Sequence, residues 1–266
     1  MLHEFLVVAG GTFAGILLMA GLLHLIPKLG LKGLSEALCR APLLDLPITY
    51  FTVLPLVVGP VVAGWIGLLG AVVGQVTSVL VWGWLHELAN LKAARGPRIV
   101  KQLNRTVGRT RNHVAVWVTA LAVPVFWMIR LAEWVVYPPL IWIVKFPRYK
   151  SGEWVNVSRH KFEGLVGHDL IWCLYCDWMT GVWSLGSEML RNVESFWCPI
   201  RFYDGKKCEN CKLDFPDVEG GWVPATGTME DVTKALAKHY TPETKENSWF
   251  GHPARLTVKG RPVDGA

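Results

Sequence analysis

Apolar residues are not spread evenly along this chain. They fall into three long stretches near residues 5–26, 46–86 and 114–146, and polar and basic connectors separate them. The first stretch, Phe5 to Ile26, holds no charged side chain apart from a protonatable His24. At about 1.5 Å rise per residue, a helix of this length reaches roughly 33 Å, enough for a hydrocarbon core of about 30 Å. The segment before it, Met1-Leu2-His3-Glu4, lacks the positive charge of a secretory signal, and the apolar run is longer than a signal core. An uncleaved transmembrane helix is the expectation.

The second stretch carries no Asp, Glu, Lys, Arg or His from Leu46 to Leu85. A single straight helix would be about 60 Å long, twice the membrane. The chain is therefore expected to fold back, as a helical hairpin in preference to a re-entrant segment plus one span. Pro47, Pro55 and Pro60 interrupt its first half, and Gly59–Pro60 with Gly64 marks the bend. In the third stretch Arg130 and Glu133 stand three apart, so they share a helix face and can pair. Pro124, Pro138 and Pro139 make a broken or hairpin-like path the expectation there too.

Between the first two stretches, Leu31, Leu34 and Leu38 predict a short amphipathic helix at the interface. The connector after the second stretch is the most basic segment of the chain. It holds Lys92, Arg95, Arg98, Lys101, Arg105, Arg109 and Arg111 against a single acid, Glu87. Under the positive-inside rule such a loop faces the cytoplasm, where it is also drawn to anionic lipid. Lys145, Arg148 and Lys150 then favour a cytoplasmic side for the C-terminal domain, in an inner or plasma membrane.

Charge confirms a division of the chain. Residues 1–147 carry 12 basic and 5 acidic side chains, whereas residues 148–266 carry 15 and 16. The basic excess belongs wholly to the apolar part, in short loops, which argues against nucleic acid as a partner. The expected fold is mainly α: a polytopic helical membrane region, 1–147, followed by a small α+β, cysteine-rich soluble domain, 148–266. Within that domain, residues 161–194 read as helix and 199–203 as a strand. Thr228 and Asp231 resemble a capping box, so a helix is expected from there to about Tyr240, ended by Pro242.

The chemistry-bearing residues are the cysteines. Cys173-x2-Cys176 and Cys208-x2-Cys211 are two pairs separated by 31 residues, and Cys198 lies between them. Two such pairs supply four thiolates to one tetrahedral ion. Zinc is the expected metal; iron or an iron–sulfur cluster is the alternative. Cys198 and His168 are possible substitute ligands, with His160 a further nitrogen donor. Disulfides would require an oxidising compartment and leave one of these five cysteines over. Cys39 stands alone and reads as inert. His24, His86 and His113 lie near span ends with nothing in the sequence to pair them.

No G-x-S-x-G, Walker, dinucleotide-fingerprint or H-E-x-x-H pattern occurs. The leading expectation is an accessory subunit of a larger membrane complex, in contact with the bilayer and with other membrane subunits. The alternatives are a membrane-bound electron-transfer subunit, and an enzyme for an apolar substrate. The last would use Arg130, Glu133, His160, His168 or Asp169, which are suitable types for acid–base work.

Overall fold

The computed structural model describes residues 1–200, 222–248, 257–258 and 261–262. They are mainly helical. Three helical stretches are long and apolar enough to cross a membrane, namely Leu2–Lys28, Asp45–Ala89 and Arg109–Ile143, as fits a membrane protein. The helices are α1 (Leu2–Lys28), α2 (Lys32–Leu38), α3 (Asp45–Thr52), α4 (Leu54–Ala89), α5 (Leu91–Arg95), α6 (Ile99–Val107), α7 (Arg109–Thr119), α8 (Val123–Val135), α9 (Tyr137–Ile143), α10 (Ser151–Trp154), α11 (Gly167–Trp197) and α12 (Met229–His239). The chain forms two compact units, Met1–Phe126 with Ser151–Gly181, and Trp127–Lys150 with Val182–Ala266.

In the first unit the long uncharged stretch folds back on itself. Ala63 and Gly64 leave helical geometry, and Gly64 takes φ +56°, a conformation open to glycine but costly for other residues. The two arms then touch backbone to backbone: a Cβ on Gly67 would collide with the carbonyl of Gly59. The short arm, α3 with the start of α4, covers about 18 residues and so roughly 27 Å, close to a full crossing.

The prolines of the short arm create a specific problem. Pro55 has no N–H, so the carbonyl four residues earlier, on Phe51, loses its helical donor. Gln75 of the long arm resolves it. Its side-chain amide donates to the carbonyls of Phe51 (2.8 Å) and Thr52 (2.9 Å). Within lipid no water could do this, so a neighbouring side chain must. Gln75→Leu removes both bonds at nearly constant volume. We expect it to destabilise the hairpin by about 1–2 kcal/mol, read as a lower unfolding midpoint in detergent, while Gln75→Asn loses less.

Helix α1 lies along the long arm in parallel register. Gly70 faces Phe5 and Val8, Gly74 faces Ala9 and Thr12, and the Ser78 hydroxyl reaches the Phe13 carbonyl. Gly67, Gly70, Ala71, Gly74 and Ser78 are buried and recur at three- and four-residue steps, making one small-residue face on α4. Without a hydrophobic force between helices in lipid, this close approach is what gains dispersion energy.

The second unit is built on the last part of α8, α9 and the C-terminal half of α11. The hydroxyls of Tyr137, on α9, and Tyr149 both accept from the Asn192 amide, at 3.0 and 2.7 Å. Burial, with Tyr137 beside it, pushes the Tyr149 phenol far above its ordinary range. Phe146 packs edge-on against Phe196 and Trp197. The predicted capping box is present, with Thr228 and Asp231 exchanging bonds at the start of α12. The last turn of α11 is tied to the end of α12 by Ser195 and Tyr240 (2.9 Å).

The α+β character expected of the soluble domain is not found among the described residues. Among the described residues there is no sheet beyond a two-residue antiparallel pairing of β1 (Thr257–Val258) with β2 (Arg261–Pro262). The expected strand begins with Pro199, which has no N–H for a ladder. Ile200 makes only an isolated parallel bridge to Val223, and residues 201–203 lie outside the described ones.

Candidate functional site

The most organised polar cluster of the first unit gathers where α4 ends and α11 begins. Gly96 and Pro97 stop α5 and hold Arg98 extended (φ −139°, ψ 142°) as the residue before α6. That backbone turns the Arg98 side chain inward, and only 3% of it is exposed. Its Nε donates to Asp169 Oδ2 (2.6 Å), and its Nη2 donates to Glu87 Oε1 (2.8 Å) and to the Val166 carbonyl (3.0 Å). Burial alone would lower the Arg98 pKa. The hydrogen bonds and charges of Glu87 and Asp169 outweigh it and hold the guanidinium above its ordinary value.

Asp169 is equally committed. Its second oxygen, Oδ1, accepts the N–H of Val100 (3.1 Å) in the first turn of α6. It thus satisfies a donor that the helix cannot and meets the positive end of that helix dipole. Gly167 closes the arrangement. Its φ is +56°, and a Cβ there would overlap the Glu87 side chain. Its N–H donates to His86 Nδ1 (3.1 Å), which places the His86 proton on Nε2.

Aromatic rings surround this clamp. His86 stacks on Trp82 (4.7 Å) and meets His24 edge-on (5.2 Å). His168 faces His113 (5.9 Å), Trp117 and Trp172. The histidines near the span ends are thus paired in space, which no local spacing signals. Burial, then the charge of His113, holds His168 below its ordinary value, so it is neutral at pH 7. Its Nε2 is buried with no hydrogen-bond partner among the described residues.

The predicted metal ligands are brought together only in part. Cys173 and Cys176 lie one turn apart on α11, both half-buried. Arg159 lies beside Cys173 and favours its thiolate, though burial is the larger influence and raises the thiol pKa. Cys208 and Cys211 lie outside the described residues. Cys198 is exposed just past the C-terminus of α11. Among the described residues no three His, Cys, Asp or Glu side chains converge as a metal site, and His168 joins none.

His160 is 3.9 Å from the Cys39 sulfur, a neighbour 121 positions away that no spacing signals. Cys39 is nevertheless held as a thiol, its pKa raised by burial and only partly offset by Lys161. Asp177, next to the first cysteine pair, accepts the N–H groups of Ser158 and Arg159 (both 2.9 Å) and the Arg159 guanidinium (2.8 Å).

In the second unit, Arg130 and Glu133 do pair, as their three-residue spacing predicts. Both side chains are almost wholly buried, and the Arg130 guanidinium also lies over the Trp134 ring at 5.0 Å. Gly186 of α11 permits this: a Cβ there would press on Ile129 at 2.7 Å.

Of the five residues considered for acid–base work, Asp169, Arg130 and Glu133 are thus engaged in internal ion pairs. Both Asp169 oxygens are occupied by fixed donors, the Arg98 guanidinium and the Val100 N–H, so neither is open to a substrate proton. Comparison with protein-family profiles, with curated proteins and with solved structures finds no match to this chain.

Proposed function

We propose that the chain is an integral membrane accessory subunit of a larger membrane complex, and that its soluble part docks a partner subunit. One observation carries this reading. On the C-terminal half of α11, Trp183, Leu190 and Trp197 recur every seven residues and are 59%, 57% and 54% exposed. Seven residues are nearly two helical turns, so the three form a single stripe. Large apolar side chains aligned in this way on a helix mark a contact surface, and Trp is enriched where binding energy concentrates. The commitment of Asp169, Arg130 and Glu133 to ion pairs supports the same reading over catalysis.

Zinc on Cys173, Cys176, Cys208 and Cys211 completes the proposal, as the brace of a small domain. What supports it is the shared helix face of Cys173 and Cys176. Electron transfer through iron on the same thiolates is the alternative. Lys145, Arg148 and Lys150, which follow the third apolar stretch, favour placing the soluble part on the cytoplasmic side.

The test is purification from membranes in mild detergent without chelator. The expected result is an assembly of fixed composition with one zinc per chain. Leu190→Ser should release the chain from that assembly while helix content and zinc stay unchanged. A chain that is monomeric before and after the substitution sinks the accessory-subunit reading. Iron, with absorption in the ~350–550 nm range, puts electron transfer in its place.

A further inference from the structure

Helix α6 presents two features at once. Ile99, Leu103 and Val107, at four-residue steps, are 49%, 42% and 47% exposed along one face. Around that stripe the connector exposes Lys92, Arg95, Lys101, Arg105, Arg109 and Arg111. The seventh cation, Arg98, is turned inward, and Glu87, the acid of this segment, is paired to it. The exposed surface is therefore cationic and apolar, with no exposed carboxylate between residues 87 and 113.

The helix is also held in place. Arg98 and the Asp169–Val100 bond pin its start. On the inner side Asn104 accepts from Asn112 at 2.9 Å. The Lys101 ammonium reaches back to the carbonyls of Ala94, Arg95 and Gly96, closing the end of α5. The inward face is thus polar and bonded, and the outward face is apolar and rimmed by cations. Moreover α4, which can cross a membrane, ends at Ala89, and α7, which opens the next such stretch, begins at Arg109. A segment joining two spans on one side lies at the level of the headgroups.

We propose that α6 is an interfacial helix that seats on the anionic lipids of the bilayer. Ile99, Leu103 and Val107 enter the acyl boundary while Arg105, Arg109 and Arg111 hold lipid phosphates. Each cation near an anionic surface strengthens the association roughly fivefold, and the apolar stripe adds an attraction that salt does not screen. The proposal rests on the membrane placement of α4 and α7, and not on the accessory-subunit reading.

Hydrogen–deuterium exchange of the whole chain in nanodiscs tests it, comparing phosphatidylcholine alone with phosphatidylcholine plus phosphatidylglycerol. Exchange over residues 99–107 should slow about tenfold or more with the anionic lipid, and high salt should reverse the change. The triple variant Arg105→Gln, Arg109→Gln, Arg111→Gln should lose the difference while α1 stays protected. Equal exchange over 99–107 in both lipids, with α1 protected, overturns the lipid site alone. Rapid exchange of α1 in both overturns the membrane placement, and the lipid site falls with it.

Discussion

Replacing Arg98 with Ala is expected to destabilise the first unit by about 3–5 kcal/mol. The magnitude reflects the groups left without a partner. Asp169 has only 6% of its side chain exposed, and Arg98 is the charge that neutralises it. Without the guanidinium, a buried carboxylate keeps only the Val100 N–H, and the Val166 carbonyl loses a donor. Arg98→Lys should recover only part of the loss. An ammonium is a point charge that cannot span Asp169, Glu87 and Val166 in the fixed fork of a guanidinium. Thermal unfolding of the two variants in detergent gives the order wild type, Lys, Ala. Equal midpoints for all three would mean that the clamp contributes nothing to stability. The double substitution Arg98→Met with Asp169→Leu should be milder than Arg98→Ala, since an apolar pair leaves no buried charge.

Gly74→Leu should separate α1 from the long arm of α4. A single Cβ at this position would stand 2.7 Å from both the Ala9 carbonyl and the Thr12 Cβ, and a whole isobutyl group has nowhere to go. Overpacking in a rigid contact costs typically about 1–3 kcal/mol. Here the neighbour is partly backbone, so we expect the upper end. A cysteine pair placed across α1 and α4 reports the effect as lost crosslinking. Gly10→Leu is the matched control, because nothing lies within 4 Å of a Cβ at Gly10. Equal crosslinking in both variants would contradict the parallel contact.

Much of the membrane architecture was legible in the sequence for a simple reason. Charge is so costly in hydrocarbon that its absence over 40 residues is itself a length measurement. From that length the fold-back followed, and Gly64 supplied the bend. Arg130 and Glu133 were legible for a related reason: three residues on a helix is a distance. The clamp was not legible. Arg98 and Asp169 are 71 positions apart, and no periodicity connects them. Arg98 reads as one more cation in a basic connector. The one local hint was Gly96–Pro97, which breaks the helix before it and gives Arg98 a backbone unlike its neighbours. His168 and Asp169 looked alike as acid–base candidates. Only the geometry separates them, with Asp169 locked between two donors and His168 neutral and ringed by aromatics. Of the expected strand, only Pro199 and Ile200 lie among the described residues, and there the missing proline N–H leaves an isolated bridge to Val223.

The parallel register of α1 with the long arm also has a meaning in time. Phe5 meets Gly70 and Ala9 meets Gly74, an offset of about 65 residues. At a synthesis rate of roughly 5–20 residues per second, α1 leaves the ribosome about 3–13 s before its partner exists. Through that interval α1 has to hold itself in the bilayer by its own length and lack of charge, which a helix with all its backbone bonds internal can do. Recognition then falls to the later segment, whose buried Gly70, Gly74 and Ser78 arrive as a finished face and find α1 already waiting.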